Sequence, residues 1–396
     1  MIPALFSFLT IPILKNILGT SNFGIYSFYA SVLLIINASF SGGITQSIIR
    51  LQIDYENKYL FFNQSILLTF FLSAIVSLPI FIYIQTEYNS FVFSLLFVLT
   101  LFFSNFYTSL LAITQSRLFS KVSAISESVR TGIFICFSLL LLQLCPHQNF
   151  LLLLFCSLAT SYLTGCFFLL LKNKLSFQTI EWKSFVTTMG HIFKYGSYLV
   201  GWFVCSYGIS MANRFVLAMK FGKENIGHFT ASFDIINKSI VLLLSPVLLS
   251  LFPLVIKSFG EGNHKEVRAL IRRLTIIEIS LLFICLFVFS FFGFSLLSQI
   301  LHTPATTEYL LIDIEIICST FIWQIAMLQH KYLELDKKTS KMLLFIFTAS
   351  LLSLTIDFFL IKKWGFKYSG IGFLTGGLFY TTIIMAYSNR YLKCPK

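Results

Sequence analysis

The sequence has few charged residues: Asp, Glu, Lys and Arg make up 11% of its 396 residues, whereas soluble domains average about 25%. Hydrophobic residues make up 57% of the chain, and so few polar groups cannot cover that much apolar surface in water. The composition excludes a soluble globular fold and is typical of a polytopic membrane protein.

Motifs for catalysis, metal binding and nucleic-acid binding are also lacking. The eight cysteines include no C-x-x-C pair, and the six histidines form no H-E-x-x-H pattern. No Ser or Cys has an identifiable base and orienting partner. The net charge of +13 comes from residues in short loops between apolar runs, not from a basic module. We expect no enzymatic activity, no metal, no cofactor and no nucleic-acid partner.

The N-terminal stretch is not typical of a signal peptide, because residues 1–14 contain no charged residue and no small-residue cleavage site. It is also short for a membrane span, which needs about 20 residues. Either the first helix is short, or it begins upstream of Met1.

Twelve apolar runs of helical length follow one another along the chain. They lie near residues 1–16, 24–48, 63–85, 90–113, 122–144, 149–171, 195–219, 227–256, 270–297, 308–330, 341–361 and 369–389. A longer polar break, residues 172–194, divides them six and six. We predict an all-α membrane protein of about 12 transmembrane helices in two six-helix lobes, residues 1–180 and 181–396.

The loops between these runs differ in positive charge. If the N-terminus is cytoplasmic, the cytoplasmic segments hold 20 Lys and Arg and the outer loops hold 6, Lys15 among them. Positive residues accumulate on the cytoplasmic side of membrane proteins. We expect a multi-pass protein of the bacterial cytoplasmic (inner) membrane, with both termini in the cytoplasm.

One short motif occurs twice, at a constant offset of 203 residues. Leu18–Tyr26 and Phe221–Phe229 both read apolar-Gly-x-x-Asn-apolar-Gly-x-aromatic. Gly and Asn are common turn residues, so chance is the alternative explanation. The offset is close to half the chain, however, and agrees with the division into two lobes. This pattern predicts a pseudo-two-fold axis along the membrane normal, as in transporters with parallel repeats.

The second copy carries charges inside its apolar runs. Arg214 lies in one run and Asp234 and Lys238 in the next, beside Asn213 and Asn237. Ionisable residues within membrane spans usually face a protein interior or a water-filled cavity. Arg214 and Asp234 lie at depths that differ by roughly 3 Å at 1.5 Å per residue, so they could meet. Alternatively, Arg214 extends to the headgroups, or Asp234 pairs with Lys238 one turn away.

Two other polar sets are candidates for the site. Asn37, Ser41 and Thr45 recur every four residues on one helix face, where they either line a cavity or join helices through hydrogen bonds. Carboxylates near spans of the second half are candidates for coupling transport to an ion, although each could be structural. These carboxylates are Asp234, Glu278, Asp313, Glu315 and Asp357.

Several of these residues resemble the signatures of a known family. The segment Gly19-x-x-Asn22-Phe23-Gly24-x-Tyr26, the pair Asn213-Arg214, and the stretch from Phe221 to Ala231 resemble those of the polysaccharide repeat-unit (O-antigen) flippases. These exporters belong to the MATE-like multidrug/oligosaccharidyl-lipid/polysaccharide (MOP) superfamily. The resemblance extends over nearly the whole chain in helix number and loop length. The family often has Asp where this chain has Asn213.

The resemblance implies a flippase that moves undecaprenyl-pyrophosphate-linked oligosaccharides from the cytoplasmic to the outer leaflet by alternating access. The cavity would be lined mainly by helices one, two, seven and eight, and charged mostly on the side of the second lobe. Arg214 and Lys238 would attract the pyrophosphate or acidic sugars, while Asn37, Asn213 and Asn237 would bind sugar hydroxyls. Further expected partners are the bilayer, an H⁺ or Na⁺ counter-ion, and the glycan polymerase or chain-length machinery.

Two other functions stay open. A MATE-type drug or cation antiporter would need a less cationic cavity and a coupling carboxylate in the first half. A membrane glycan polymerase would need a large outer loop with Arg and His. Between the twelve apolar runs, no outer loop clearly exceeds about 15 residues. We therefore expect a transporter.

Overall fold

The computed structural model describes residues 2–145, 147–173, 181–303, 305–335 and 338–393. Regular structure in these ranges is helical and includes no strand, as the sequence predicts. The helices are α1 (Ile2–Leu51), α2 (Lys58–Tyr88), α3 (Phe91–Ser116), α4 (Ser120–Leu144), α5 (Phe150–Asn173), α6 (Trp182–Phe221), α7 (Gly227–Gly260), α8 (His264–Val288), α9 (Phe294–Ile300), α10 (Thr307–Gln329), α11 (Lys331–Leu335), α12 (Thr339–Trp364) and α13 (Ile371–Lys393). A π-helical turn, Phe289–Gly293, joins α8 to α9.

Most of these helices are long and apolar. In the part of the chain that the structure describes, nine helical stretches could cross a membrane by length and composition. One of them, Leu5–Leu51 in α1, has 47 residues and contains both of the first two predicted spans. Helices α6 and α7, which carry Arg214, Asp234 and Lys238, are not among the nine.

Helix α6 begins earlier than the sequence pattern indicates. We expected the polar break to extend to Lys194, but the helix starts at Trp182 and has 40 residues. The extra turns are amphipathic: Phe185, Thr188 and Ile192 are buried, at intervals of three and four residues. Residues 174–180 of the break lie outside the described ranges.

The repeated motif has the same backbone conformation in both copies. Gly19 has φ 74° and ψ 168°, and Gly222 has φ 86° and ψ 152°. Only glycine adopts this region without strain. Gly365, before α13, has φ 85° and ψ −155° and is a third example that the sequence comparison missed. In all three loops a second glycine follows five residues later.

The chain divides into two compact units. The first comprises residues 1–10 and 29–204, and the second comprises residues 11–28 and 205–396. The second unit therefore contains both copies of the repeated motif. Most of α6 up to Val204 belongs to the first unit.

Within the second unit the two copies of the motif touch at equivalent positions. Ser27 Oγ lies 2.9 Å from Thr230 Oγ1, and these residues are 203 apart in the sequence. A Cβ added at Gly227 would overlap the carbonyl oxygen of Thr20 and lie 2.9 Å from the amide nitrogen of Gly24, its own equivalent. Equivalent positions touch where a local two-fold axis passes, so this contact supports the repeat.

The first unit contains a half-buried ion pair among aromatic rings. Arg130 of α4 contacts Glu127 at 2.9 Å and lies over the rings of Tyr107 and Tyr162, at 5.6 and 4.9 Å. The tyrosines belong to α3 and α5. Arg130 therefore joins three helices, which is a structural role.

In the second unit, α10 packs against α7, α8 and α13. The short helix α11 follows α10, and Glu334 in it contacts His330 at 3.5 Å and Lys331 at 2.5 Å. Burial raises the pKa of Glu334, but the His330 hydrogen bond and the Lys331 charge outweigh it and bring the pKa down to about 2. Glu334 is therefore ionised at neutral pH.

Candidate functional site

Arg214 and Asp234 form an ion pair, as their depths in the sequence predict. An Arg214 Nη atom donates to Asp234 Oδ1, and the guanidinium lies 5.0 Å from the centre of the Phe233 ring. The Arg214 side chain is only 3% exposed, whereas that of Asp234 is 28% exposed. Arg214 does not extend to the surface, so the alternative of a headgroup contact is excluded. Asp234 is the more accessible member of the pair.

The neighbouring polar residues lie on the same two helices. Asn213 is fully buried; its Nδ2 donates to the Ser369 carbonyl at 3.2 Å, and its Oδ1 accepts from the Arg214 amide at 2.8 Å. Asn213 thus connects α6 to the segment before α13. Asn237 and Lys238 are half-buried on α7, about one turn beyond Asp234.

The polar row of the first unit makes helix-to-helix contacts. Asn37 Nδ2 donates to Ser104 Oγ at 2.7 Å and to Asn105 Oδ1 at 3.0 Å, both on α3. Ser41 Oγ donates to the Asn37 carbonyl at 2.5 Å. Thr45 is the half-buried member of the row. Its hydroxyl donates to the Gly42 carbonyl at 3.0 Å. These bonds favour packing as the role of Asn37 and Ser41.

Two carboxylates lie at the start of α13. Glu315 of α10 accepts a hydrogen bond from the Gly370 amide at 3.0 Å, and Asp357 of α12 accepts one from the Gly372 amide at 3.1 Å. Amides at a helix N-terminus stabilise negative charge.

Glu278 and Asp313 are buried elsewhere in the second unit. Glu278 is 1% exposed in α8, and among the described residues neither of its carboxylate oxygens has a hydrogen-bond partner. Asp313 is 3% exposed in α10. A carboxylate buried without a partner is costly in its charged form. Glu278 is therefore suited to holding a proton.

Two buried polar groups of the second unit were missed by the sequence analysis. Lys15, counted there as an outer-loop residue, lies inside α1, is 3% exposed and donates to the Leu301 carbonyl. That assignment was wrong because the helix continues beyond the apolar run. His228 stacks on Tyr309 with ring centroids 3.8 Å apart. For Lys15 the sequence did offer a signal, because a Lys at the end of the first apolar run is unusual.

No cluster of three or more His, Cys, Asp or Glu that could hold a metal ion occurs in the described ranges. Within them, the polar groups of the second unit include the Arg214–Asp234 pair, several buried carboxylates and amide side chains. Such groups can bind anions, hydroxyls and small cations.

Comparison with known families identifies the class. Residues 1–259 match the family described as "Polysaccharide biosynthesis protein". The chain belongs to this family. No curated protein matches the sequence.

The fold of this polysaccharide biosynthesis protein is that of the MATE transporters. It is similar to the inward-facing structure of a multidrug resistance MATE family transporter of the MOP superfamily, with a TM-score of 0.75 and 11% identity over 99% of this chain and 94% of that one. A MOP superfamily transporter from Pyrococcus furiosus gives a TM-score of 0.65, at 11% identity and the same coverage of both chains.

A variant of the MATE transporter VcmN from Vibrio cholerae gives a TM-score of 0.69, at 13% identity over 99% of this chain and 95% of that one. The fold is that of membrane transporters, as the sequence predicts. With nine candidate spans among the described residues, the protein is a multi-pass membrane protein.

Proposed function

We propose that this protein flips a lipid-linked glycan. Its substrate is an undecaprenyl-pyrophosphate-linked oligosaccharide, the repeat unit of O-antigen or another surface polysaccharide, which moves from the cytoplasmic to the outer leaflet. One observation carries the proposal. In a polysaccharide biosynthesis protein, a buried arginine of α6, Arg214, pairs with a more accessible carboxylate of α7, Asp234.

In the proposed mechanism Asp234 occupies the position that a phosphate would take on Arg214. A guanidinium binds carboxylate and phosphate oxygens with the same planar geometry. The pyrophosphate would displace the more exposed Asp234, and Asp234 would return when the substrate leaves. The ion pair thus keeps the buried Arg214 charge compensated between transport cycles.

The other polar residues assist this exchange. Lys238 lies on α7, as Asp234 does, and supplies a second positive charge for the pyrophosphate. Asn213 and Asn237 form hydrogen bonds with sugar hydroxyls. Thr45 is the strongest candidate for sugar contact in the first unit, since Asn37 and Ser41 bond to α3 and to each other. The proposed charged contacts therefore all belong to the second unit.

We propose that H⁺ or Na⁺ drives the cycle through the carboxylates of the second unit. Glu278 and the pair Glu315–Asp357 are the main candidates, with Asp313 and Asp234 beside them in the same unit. The positive charge of the predicted cytoplasmic loops supports an inner-membrane protein with both termini in the cytoplasm. There it would deliver repeat units to the glycan polymerase and chain-length machinery.

The test separates substrate binding from helix packing. The double variant R214Q/D234N removes both charges together, so no buried charge is left without its partner. A matched control, E127Q/R130Q, removes the half-buried Arg–carboxylate pair that packs among tyrosines. In a host whose own flippase gene is deleted, surface glycan is measured per amount of membrane-inserted protein.

We expect R214Q/D234N to lose most surface glycan and E127Q/R130Q to retain it. K238A should show an intermediate loss. Normal glycan in both R214Q/D234N and K238A would refute the proposed site.

The alternative is a MATE-type drug or cation antiporter, and one observation favours it: the accessible member of the ion pair is the carboxylate Asp234. A carboxylate attracts cations, not phosphates. If deletion of the gene changes drug susceptibility and leaves surface glycan intact, this alternative is correct and the flippase is not.

A further inference from the structure

A cavity of about 500 Å³ lies in the first unit, beside the end of α1 and the N-terminal half of α6. It is lined by Leu51, Asp54, Tyr55, His191, Lys194 and Tyr195. This volume is typical of small-molecule sites, which range from roughly 300 to 1,000 Å³. His191, Lys194 and Tyr195 share one face of α6, at intervals of three and four residues. None of the six residues belongs to the site of Arg214.

One wall is fixed by stacked and hydrogen-bonded rings. Tyr55 Oη lies 2.8 Å from His191 Nδ1, which joins the loop after α1 to α6. The Tyr55 ring stacks on Phe61 with centroids 4.4 Å apart, and Phe61 is fully buried. The aromatic face at the cavity is therefore held in place before any ligand binds.

Helix α6, which supplies three of the lining residues, is also held by α2. Gln64 of α2 donates to Ser184 Oγ at 2.8 Å and accepts from Thr188 Oγ1 at 2.6 Å, both in the first turns of α6. The loop after α1 is tied down by Gln52, which donates to the Ser116 carbonyl at 2.9 Å. Lining segments bound in this way are preorganised, which lowers the cost of ligand binding.

We propose that this cavity binds a glycosyl phosphate, that is, a sugar carrying a phosphate group. Tyr55 and Tyr195 offer ring faces for the apolar side of a sugar, Asp54 and His191 offer hydrogen bonds for its hydroxyls, and Lys194 offers one positive charge for the phosphate. Phosphate alone fits less well, because Asp54 would repel it. The lining surface is mostly apolar, which suits contact with the apolar face of a sugar, and five of the six lining residues are charged or carry a hydrogen-bonding group.

The place of this cavity in transport rests on the proposed function. The basic residues near it, Arg50, Lys58, Lys183 and Lys194, belong to the predicted cytoplasmic segments. A glycosyl-phosphate site there would hold the head of the lipid-linked glycan before it reaches the site of Arg214. A soluble sugar phosphate has the same chemistry and could occupy the cavity as a regulator.

The experiment uses the full-length protein in lipid nanodiscs and measures binding by calorimetry. Glucose 1-phosphate, glucose and inorganic phosphate are the probes, and a short-chain polyprenyl-pyrophosphate-linked sugar is the competitor. The variants are K194Q and D54N. The matched control is K183Q, which removes an exposed lysine from the first turns of the same helix.

We expect glucose 1-phosphate to bind more tightly than glucose or inorganic phosphate. K194Q should weaken that binding about tenfold, as for loss of one charge-assisted hydrogen bond, and K183Q should leave it unchanged. Competition by the polyprenyl-linked sugar identifies the lipid-linked glycan as the ligand, and its failure to compete identifies a soluble sugar phosphate. Both outcomes support a glycosyl-phosphate site.

Equal affinity of K194Q and K183Q for glucose 1-phosphate would overturn the proposal, and so would binding of inorganic phosphate as tight as that of glucose 1-phosphate. The R214Q/D234N variant separates the two proposals. It should still bind glucose 1-phosphate in this cavity, whatever its effect on surface glycan.

Discussion

The contact between the two copies of the repeated motif can be tested by a single methyl group. In the G227A variant the new Cβ would overlap the carbonyl oxygen of Thr20. That oxygen belongs to the backbone and cannot rotate away, so the two segments must separate. Overpacking of this kind costs about 1–3 kcal/mol.

A second glycine provides the control. At Gly132, in α4, a Cβ would have no atom within 4 Å. In a helix interior, Ala is more stable than Gly by about 0.5–1 kcal/mol, so G132A should be slightly stabilised. The two variants should therefore differ by roughly 1.5–4 kcal/mol in free energy of unfolding, from the same two effects.

The measurement is the thermal unfolding midpoint of each purified variant in the same detergent, together with denaturant unfolding. G227A should unfold at a lower temperature than the wild type, and G132A at the same or a higher temperature. If G227A unfolds at or above the midpoint of G132A, then the two copies do not touch at Gly227 and the reasoning from equivalent positions fails.

Three further predictions follow. D234N should lower the unfolding midpoint more than R214Q, because D234N removes a carboxylate that compensates a 3%-exposed arginine, whereas R214Q leaves a 28%-exposed carboxylate that water can reach; equal midpoints would contradict this. In a background with the native cysteines replaced by alanine, S27C/T230C should form a disulfide on oxidation, since the hydroxyl oxygens are 2.9 Å apart. The disulfide should stop transport until it is reduced. Full transport by the crosslinked protein would show that this contact stays closed during the cycle. The folded-state pKa of Glu334 is lowered to about 2, so the stability that Glu334 contributes is complete above about pH 4.5 and is lost as the pH falls through about 2. E334Q should remove this part of the acid dependence of the unfolding midpoint. An unchanged acid dependence would refute this role of Glu334.

The sequence predicts the parts of this protein that depend on neighbours along the chain. The helical spans follow from apolar runs, and the pairing of Arg214 with Asp234 follows from counting residues from one turn, since α6 ends and α7 begins there. The glycines at 19 and 222 were found because they recur at one offset. Gly365 has no partner at that offset, so only its backbone angles reveal it.

Contacts between distant segments were not predictable in this way. Lys15 donates to a carbonyl 286 residues away, and its burial depends wholly on that partner. The bonds of Asn37 to α3 likewise decide between packing and cavity lining, and the sequence of α1 alone left both possibilities open. The first turns of α6 have the sequence pattern of a polar loop because their buried residues are few and lysines flank them at 183 and 194.

The pairing of Ser27 with Thr230 also limits how these positions can change. In a symmetric homodimer, one substitution alters both sides of a contact on the axis, and the new side chain must fit against itself. Here the two copies are encoded separately, so each side can change alone and a small residue can come to face a larger one. Serine opposite threonine is already such a pair. Directed evolution of this contact should therefore yield compensating pairs 203 residues apart, not isolated changes.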